Sequence, residues 1–149
     1  MSDTFLSNFL TAARLISGAE RGMAVDTTLH VVNMENVSKS DTASTSSFCD
    51  FAMENLQEAM ATGEPIFTNT EITDISQAPT TNVNLGNIRF VVAMPVADYG
   101  AVYLDQRIRT GIIHRFTIEK LMRLIVYLVD NDLEGSSPEE MIKLFGEVT

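Results

Sequence analysis

The sequence predicts an α/β fold of the α+β type, with a central antiparallel sheet of five or six strands and helices on both faces. Three observations carry this expectation. Apolar residues recur at helical spacing in three well-separated stretches. Short β-branched runs lie between them in hairpin-like pairs, bounded by turn residues. Finally, Ile88–Met94 is apolar almost without interruption, so a strand there needs cover on both faces.

In order along the chain, Thr4–Ile16 carries Phe5, Leu6, Phe9, Leu10, Ala12, Ala13 and Ile16 at helical spacing, and Gly18 is a natural stop. Gly22–Asp26 and Leu29–Met34 read as a hairpin. Residues 35–47 lack apolar periodicity and read as a loop. A second helix starts near Ser47 with the stripe Phe48, Phe51, Ala52, Leu56, Ala59 and Met60; Gly63 ends it and Pro65 blocks its continuation. Ile66–Thr68 is a third strand. A long polar stretch, Asn69–Asn87, leads to the fourth strand at Ile88–Met94, which Pro95 closes. After a turn at Asp98–Gly100, Ala101–Asp105 is the fifth strand, antiparallel to the fourth. A basic connector, 107–115, precedes a third helix over Ile118–Asp130, with Thr117 as its cap and Leu121, Leu124, Ile125 and Leu128 as its stripe. Met122, Val126 and Val129 widen that stripe. Ser137, Pro138 and Glu140 form a capping box for a short helix ending at Phe145, with Gly146 as its stop. The expected organisation is a domain over 1–134 and a helical tail over 135–149.

Composition narrows the function. Among 149 residues, 45% are hydrophobic and 20% charged, the balance of a globular domain. The net charge of −10 opposes nucleic acid and anionic membrane at long range. No apolar run reaches the ~18–20 residues needed to span a bilayer. The first Arg is Arg14, so a secretory leader is not expected, and a single cysteine excludes an internal disulfide. A bacterial-type cytoplasm, or some other reducing compartment, is the expected location.

Several segments resemble the GAF domain family. Gly18-Ala19-Glu20-Arg21-Gly22-Met23-Ala24-Val25-Asp26 is similar to the turn and first strand that open such domains, and Thr62-Gly63-Glu64-Pro65-Ile66 to the turn after their second helix. Ile88–Val96 resembles the family's strand ending in Pro-Leu. Tyr99–Asp105 is similar to its following strand, and Phe116-Thr117 with Leu121 and Leu124 to its last helix. The likeness runs from about Leu6 to Asp130 and implies a sensory domain. On that plan the first and third helices share one sheet face, while the second helix and the Asn69–Asn87 loop roof a pocket on the other. The family's extra ligand signatures are missing. Cys49 is followed by Asp50 rather than His, and no Asn-Lys-Phe-Asp-Glu-like set occurs, so neither cofactor nor ligand is named. Relatives that reduce methionine sulfoxide rely on several cysteines, and this chain has one.

Taken singly, the polar residues favour structural roles. Gly22 and Gly100 relax turns, Asp105 accepts turn N–H groups, and Arg21 pairs with an acid. His30 and His114 have no neighbour at metal-ligand spacing. Asp50, Glu54 and Glu58 form a solvated helix face. The eight methionines either fill core gaps or line an adaptable pocket. No catalytic or metal-binding residue is assigned. The expected ligand pocket is lined by Phe48, Phe51, Ala52, Phe67, Ile75, Asn82, Phe90, Val92 and Tyr103. The expected function is regulatory: an unknown small molecule binds there, and the change passes to a partner through a homodimer of the first and third helices. With the chain ending soon after the domain, a separate signalling protein is the expected recipient. A ligand-free docking subunit is the alternative. The tail residues Met141, Ile142, Leu144 and Phe145 compete to cover the same helices.

Cys49 stands near a helix N-terminus, which lowers a thiol pKa and suits redox chemistry, but it also sits between two Phe residues as a small hydrophobe would. The packing reading is favoured. A Cys49→Ala variant is therefore expected to keep its fold and partner binding, at a cost of about 1–2 kcal/mol or less in urea denaturation. Loss of a measured activity with stability intact would overturn that reading.

Overall fold

In a computed structural model, residues 2–37, 47–69, 90–106 and 113–148 are described. Among them the order is α1 (Ser2–Ser17), β1 (Arg21–Asp26), β2 (Val31–Glu35), α2 (Ser47–Thr62), β3 (Ile66–Asn69), β4 (Phe90–Val96), β5 (Gly100–Gln106), α3 (Arg115–Asp130) and α4 (Pro138–Glu147). The five strands form one antiparallel sheet in the order β2-β1-β5-β4-β3. This is the expected α+β architecture. The Asn69–Asn87 stretch, apart from Asn69 at the end of β3, lies outside the described residues.

Strand alternation sorts the core into two layers. Ala24, Phe90, Val92, Met94, Val102 and Leu104 face α1, α3 and α4. Met23, Val25, Val91, Ala93, Ala101 and Tyr103 face α2, which contributes Ala52, Leu56 and Ala59. The terminal helices thus share one face and α2 takes the other, as expected.

Helix ends follow the local sequence. After α1, Gly18 adopts φ 75°, and the Ala19 N–H donates to the Arg14 carbonyl at 3.1 Å, a Schellman stop. Past α2, Gly63 adopts φ 71° and its N–H donates to the Ala59 carbonyl at 2.9 Å. The capping box of α4 is present: the Glu140 N–H donates to Ser137 Oγ at 3.2 Å, and the Ser137 N–H to Glu140 Oε1 at 3.5 Å.

Four local expectations need correction. Thr117 lies inside α3; His114 is the N-cap, in extended backbone and without a side-chain cap bond. Gly146 does not stop α4, which runs on to Glu147. Pro95 sits within β4, opposite Ala101 on β5. β3 pairs only with Phe90–Ala93, so no ladder partner on its other side loses a donor. Lastly, Gly22 and Gly100 are strand residues needed for close approach rather than for turns. A Cβ on Gly22 would stand 2.8 Å from Leu10 Cδ1, where α1 presses on the sheet. One on Gly100 would stand 2.0 Å from the Val25 carbonyl oxygen.

The tail is part of the core. Met141 of α4 is fully buried in the cluster formed by α1 and α3, and Ile142, Leu144 and Phe145 pack against it. A boundary at residue 134 would cut a helix from the layer it completes. Tyr99, in the β4–β5 turn, joins the same assembly: its ring meets Phe5 edge-on at 5.0 Å, and its hydroxyl donates to Glu134 Oε2 at 3.0 Å. That bond holds the phenol's pKa above its ordinary value. With α4 in place, Phe5, Leu6, Phe9, Leu10, Ala12 and Ala13 are all buried, and Leu15 is left as the exposed large hydrophobic of α1. A Met141→Ala variant is expected to lose about 2–5 kcal/mol in chemical denaturation. An unchanged midpoint would show that α4 is not docked in solution.

Candidate functional site

Two features carry the chemistry of the described residues: a buried ion pair in the sheet centre and an open cleft at one sheet end. Arg21 on β1 stands directly opposite Asp105 on β5. The guanidinium donates twice, Nε to Oδ1 at 2.8 Å and Nη2 to Oδ2 at 2.6 Å. Tyr103 donates its hydroxyl to the same Oδ2 at 2.8 Å. Arg21 is 1% exposed and Asp105 0%. Arg21 does pair with an acid, as expected, and among the described residues Asp105 accepts from the side chains of Arg21 and Tyr103. Fork and carboxylate are matched bidentately, and the network ties two strands together.

At the β1–β2 turn, Asp26 Oδ1 accepts from the Thr28 hydroxyl at 2.7 Å, the Thr28 N–H at 2.9 Å and the His30 N–H at 3.0 Å. The Thr28 hydroxyl bond is the chief reason its carboxyl titrates below the ordinary aspartate range. His30 Nδ1 lies 2.8 Å from Thr28 Oγ1, so this exposed histidine belongs to the turn. Among the described residues no group of three or more His, Cys, Asp or Glu is arranged to hold a metal.

Of the nine residues expected to line a pocket, the six whose side chains are described divide between the two faces of the sheet. The side chain of Phe48, with Ile75 and Asn82, lies outside what is described. Phe51, Ala52 and Tyr103 do meet beneath α2, with the Phe51 and Tyr103 rings edge-on at 6.3 Å. Phe67, Phe90 and Val92 belong to the opposite face, where the Arg115 guanidinium lies 5.3 Å from the Phe67 ring. Register is the reason. Val92 pairs with Leu104 while Tyr103 pairs with Ala93, so Val92 and Tyr103 point to opposite sides. Counting outward from the 98–100 turn would have separated them.

A cleft of about 600 Å³ opens elsewhere, where the end of α2 and the flank of α3 meet the β4–β5 turn. Met60 comes from α2, Pro95 and Ala97 from the turn region, and Met122, Ile125, Val126 and Val129 from α3. Thr27, Asp98 and Asp130 supply polar groups, and among the described residues the lining holds no Lys, Arg or His. Ala97 is held at φ 48°, a left-handed conformation that costs a residue with a Cβ of order 1 kcal/mol. Among the described residues, none of those expected to line a pocket lines this cleft. The signal available in sequence was the surplus of apolar positions at Met122, Val126 and Val129.

A second groove of about 670 Å³ runs between α3 and α4, lined in part by Arg123, Tyr127, Leu144 and Val148. Val126 and Asp130 border both openings, so α3 forms a ridge between them. Its crest carries Phe116, Val126 and Tyr127, which are 64%, 57% and 41% exposed.

No known protein-family model matches the chain, and no curated protein matches it either. Among solved structures it is similar to the cyanobacteriochrome TePixJ GAF domain, at 14% identity and a TM-score of 0.44, over 94% of this chain and 88% of that one. Both values are too low for the likeness to carry weight, and the α+β fold stands on the strand order and layering above. No helix among the described residues is long and apolar enough to cross a membrane.

Removing one partner of the central pair strands a buried charge. Asp105→Ala is expected to cost about 3–5 kcal/mol in denaturant midpoint analysis. Tyr103→Phe, which deletes one bond, is expected to cost about 1–3 kcal/mol. The paired replacement Arg21→Met with Asp105→Leu is expected to be milder than Asp105→Ala alone. Equal losses for the single and double variants would show that the pair does not act as a unit.

Proposed function

We propose that the chain is a non-enzymatic regulatory domain that takes a small apolar molecule into the cleft between α2 and α3 and passes the change on through α3. The observation that carries this is the cleft itself. Its volume lies within the ~300–1,000 Å³ of small-molecule sites, and its wall is apolar with a few polar groups. Two methionines give it an adaptable surface. Asp98 and Asp130 on the lining, with no base beside them among the described residues, favour a neutral or cationic ligand over an anion. The motif resemblance to sensory domains agrees with a regulatory role.

The docking alternative draws on one observation of its own, the exposed crest of α3. The two readings separate in a methyl NMR titration with decyltrimethylammonium and with decanoate, below their micelle concentrations. Under the ligand reading, the Met60 and Met122 methyls shift with the cation and respond far less to the carboxylate. A Met122→Lys variant, which places a cation in the wall, is expected to lose that response at least ~10-fold. If neither probe moves these methyls, and freshly purified protein shows only its bare mass by native mass spectrometry, the docking reading replaces the ligand reading.

A further inference from the structure

We infer that the groove between α3 and α4 is a peptide site: it takes a short apolar peptide with free ends, the carboxylate held by Arg123 and the ammonium by Asp130. The inference stands on this groove and does not depend on whether the cleft is occupied.

Helix geometry sets the two charges apart. Arg123 and Asp130 both line the groove, and both belong to α3. Seven residues make nearly two turns, so the two positions lie on the same side of the helix, about 10.5 Å apart along its axis. The Arg123 side chain reaches further toward the helix start, with its guanidinium 6.0 Å from the Phe116 ring. At that spacing two exposed charges are screened from each other by ordinary salt. Among the described residues, neither Arg123 nor Asp130 has an ion-pair partner. The groove thus offers a base and an acid too far apart to satisfy each other. A ligand that satisfies both carries an acid and a base at the matching distance, which selects a zwitterion over a simple cation or anion. Between the charges the wall is apolar, with Val126 on α3 and Leu144 and Val148 on the α4 side. The middle of the ligand is therefore apolar too.

Length and hydrogen bonding point to a peptide. An extended chain advances ~3.3–3.6 Å per residue, so four residues span about 13–14 Å and reach from Asp130 to the Arg123 guanidinium, whereas two residues fall short. Two neutral polar groups on the wall suit a peptide backbone better than a plain alkyl chain. The Tyr127 hydroxyl has no hydrogen-bond partner among the described residues. Asn131 donates its Nδ2 to the Tyr127 carbonyl at 2.9 Å, which leaves its Oδ1 to accept from a peptide N–H. Glu147 adds a second carboxylate to the lining, so acidic side chains on the peptide are disfavoured. The volume of about 670 Å³ lies within the ~300–1,000 Å³ of small-ligand sites.

Blocking the peptide ends one at a time tests the assignment. Isothermal titration calorimetry of the full chain with the tetrapeptide Ala-Leu-Ala-Leu is expected to give a dissociation constant between ~10 µM and ~1 mM. Acetylating its amine and amidating its carboxylate are each expected to weaken binding about 3- to 10-fold, and the dipeptide Ala-Leu to bind at least ~10-fold more weakly. Arg123→Gln is expected to bind the free acid and the amide alike while keeping its preference for a free amine. Asp130→Asn is expected to do the reverse. Both positions are exposed, so circular dichroism and melting temperature should not move. In methyl NMR spectra the Leu144 and Val148 signals are expected to shift with the peptide, and that of Met60 in the cleft to stay in place. Absence of both heat and shifts up to ~5 mM peptide overturns the inference. So do blocked peptides that bind as well as the free one, or variants that keep the preference each should lose. A shift of Met60 in place of Leu144 and Val148 moves the peptide to the cleft, which overturns the groove as its site and leaves the regulatory reading of the cleft standing.

Discussion

The bidentate contact between Arg21 and Asp105 constrains everything built around it. β1 and β5 are neighbours inside the sheet, and β2 and β4 attach to their outer edges. A slip of one residue between them would turn Arg21 and Asp105 to opposite faces, each buried without the other. An error of that kind costs several kcal/mol for each stranded ion, far more than a misplaced methyl group. The two layers inherit their composition from this register. Met23 and Tyr103 meet under α2 because Arg21 and Asp105 do, and Ala24 and Val102 meet under α1 for the same reason. Gly22 then gains its role: its missing side chain lets Leu10 reach the sheet between these residues.

Much of the architecture was legible because it depends on short-range chemistry. Helical periodicity in α1 and α3, glycine stops after α1 and α2, and the Ser137–Glu140 box all act within one or two turns of backbone. The pocket was not legible because it was assembled from residues that looked apolar and central, without counting which side each would take. Phe90, Val92 and Tyr103 are all buried, yet on different faces. The tail was read as a rival for the surface of the terminal helices, and burial of Met141 decides that competition for α1. Asp105 was expected at the end of its strand; the strand continues to Gln106 and places it inside, opposite Arg21.

The cleft was hidden for a different reason. Its walls come from residues 27, 60, 95–100 and 122–130, the ends and flanks of elements far apart in sequence. No local pattern joins them. Only the asymmetry of α3 pointed outward: five residues are enough to bury its inner stripe, and Met122, Val126 and Val129 are more than the sheet requires. The methionines illustrate the split between filling and lining. Met23, Met94 and Met141 are fully buried in the core, while Met60 and Met122 face the cleft.

α3 is where the two proposals meet. Val126 and Asp130 stand on the wall of the cleft and on the groove proposed to take a peptide. A helix is stiff over this length, so under the proposed function a molecule seated against Met122 and Val129 would act on Phe116 and Arg123 through rigid-body displacement. Linkage then fixes the sign in both directions: a ligand in the cleft that strengthens peptide binding in the groove is held more tightly, by the same factor, once the peptide is bound. α1 cannot play this part. Its apolar arc is sealed by α4, while Thr11 and Arg14 are tied to Glu35 on β2, with Arg14 Nε 2.6 Å from Oε1. Of the two long helices on that face, α1 is tied to β2 and packed by α4, whereas α3 keeps an exposed crest, which is why the proposed function routes a change at the sheet end through α3.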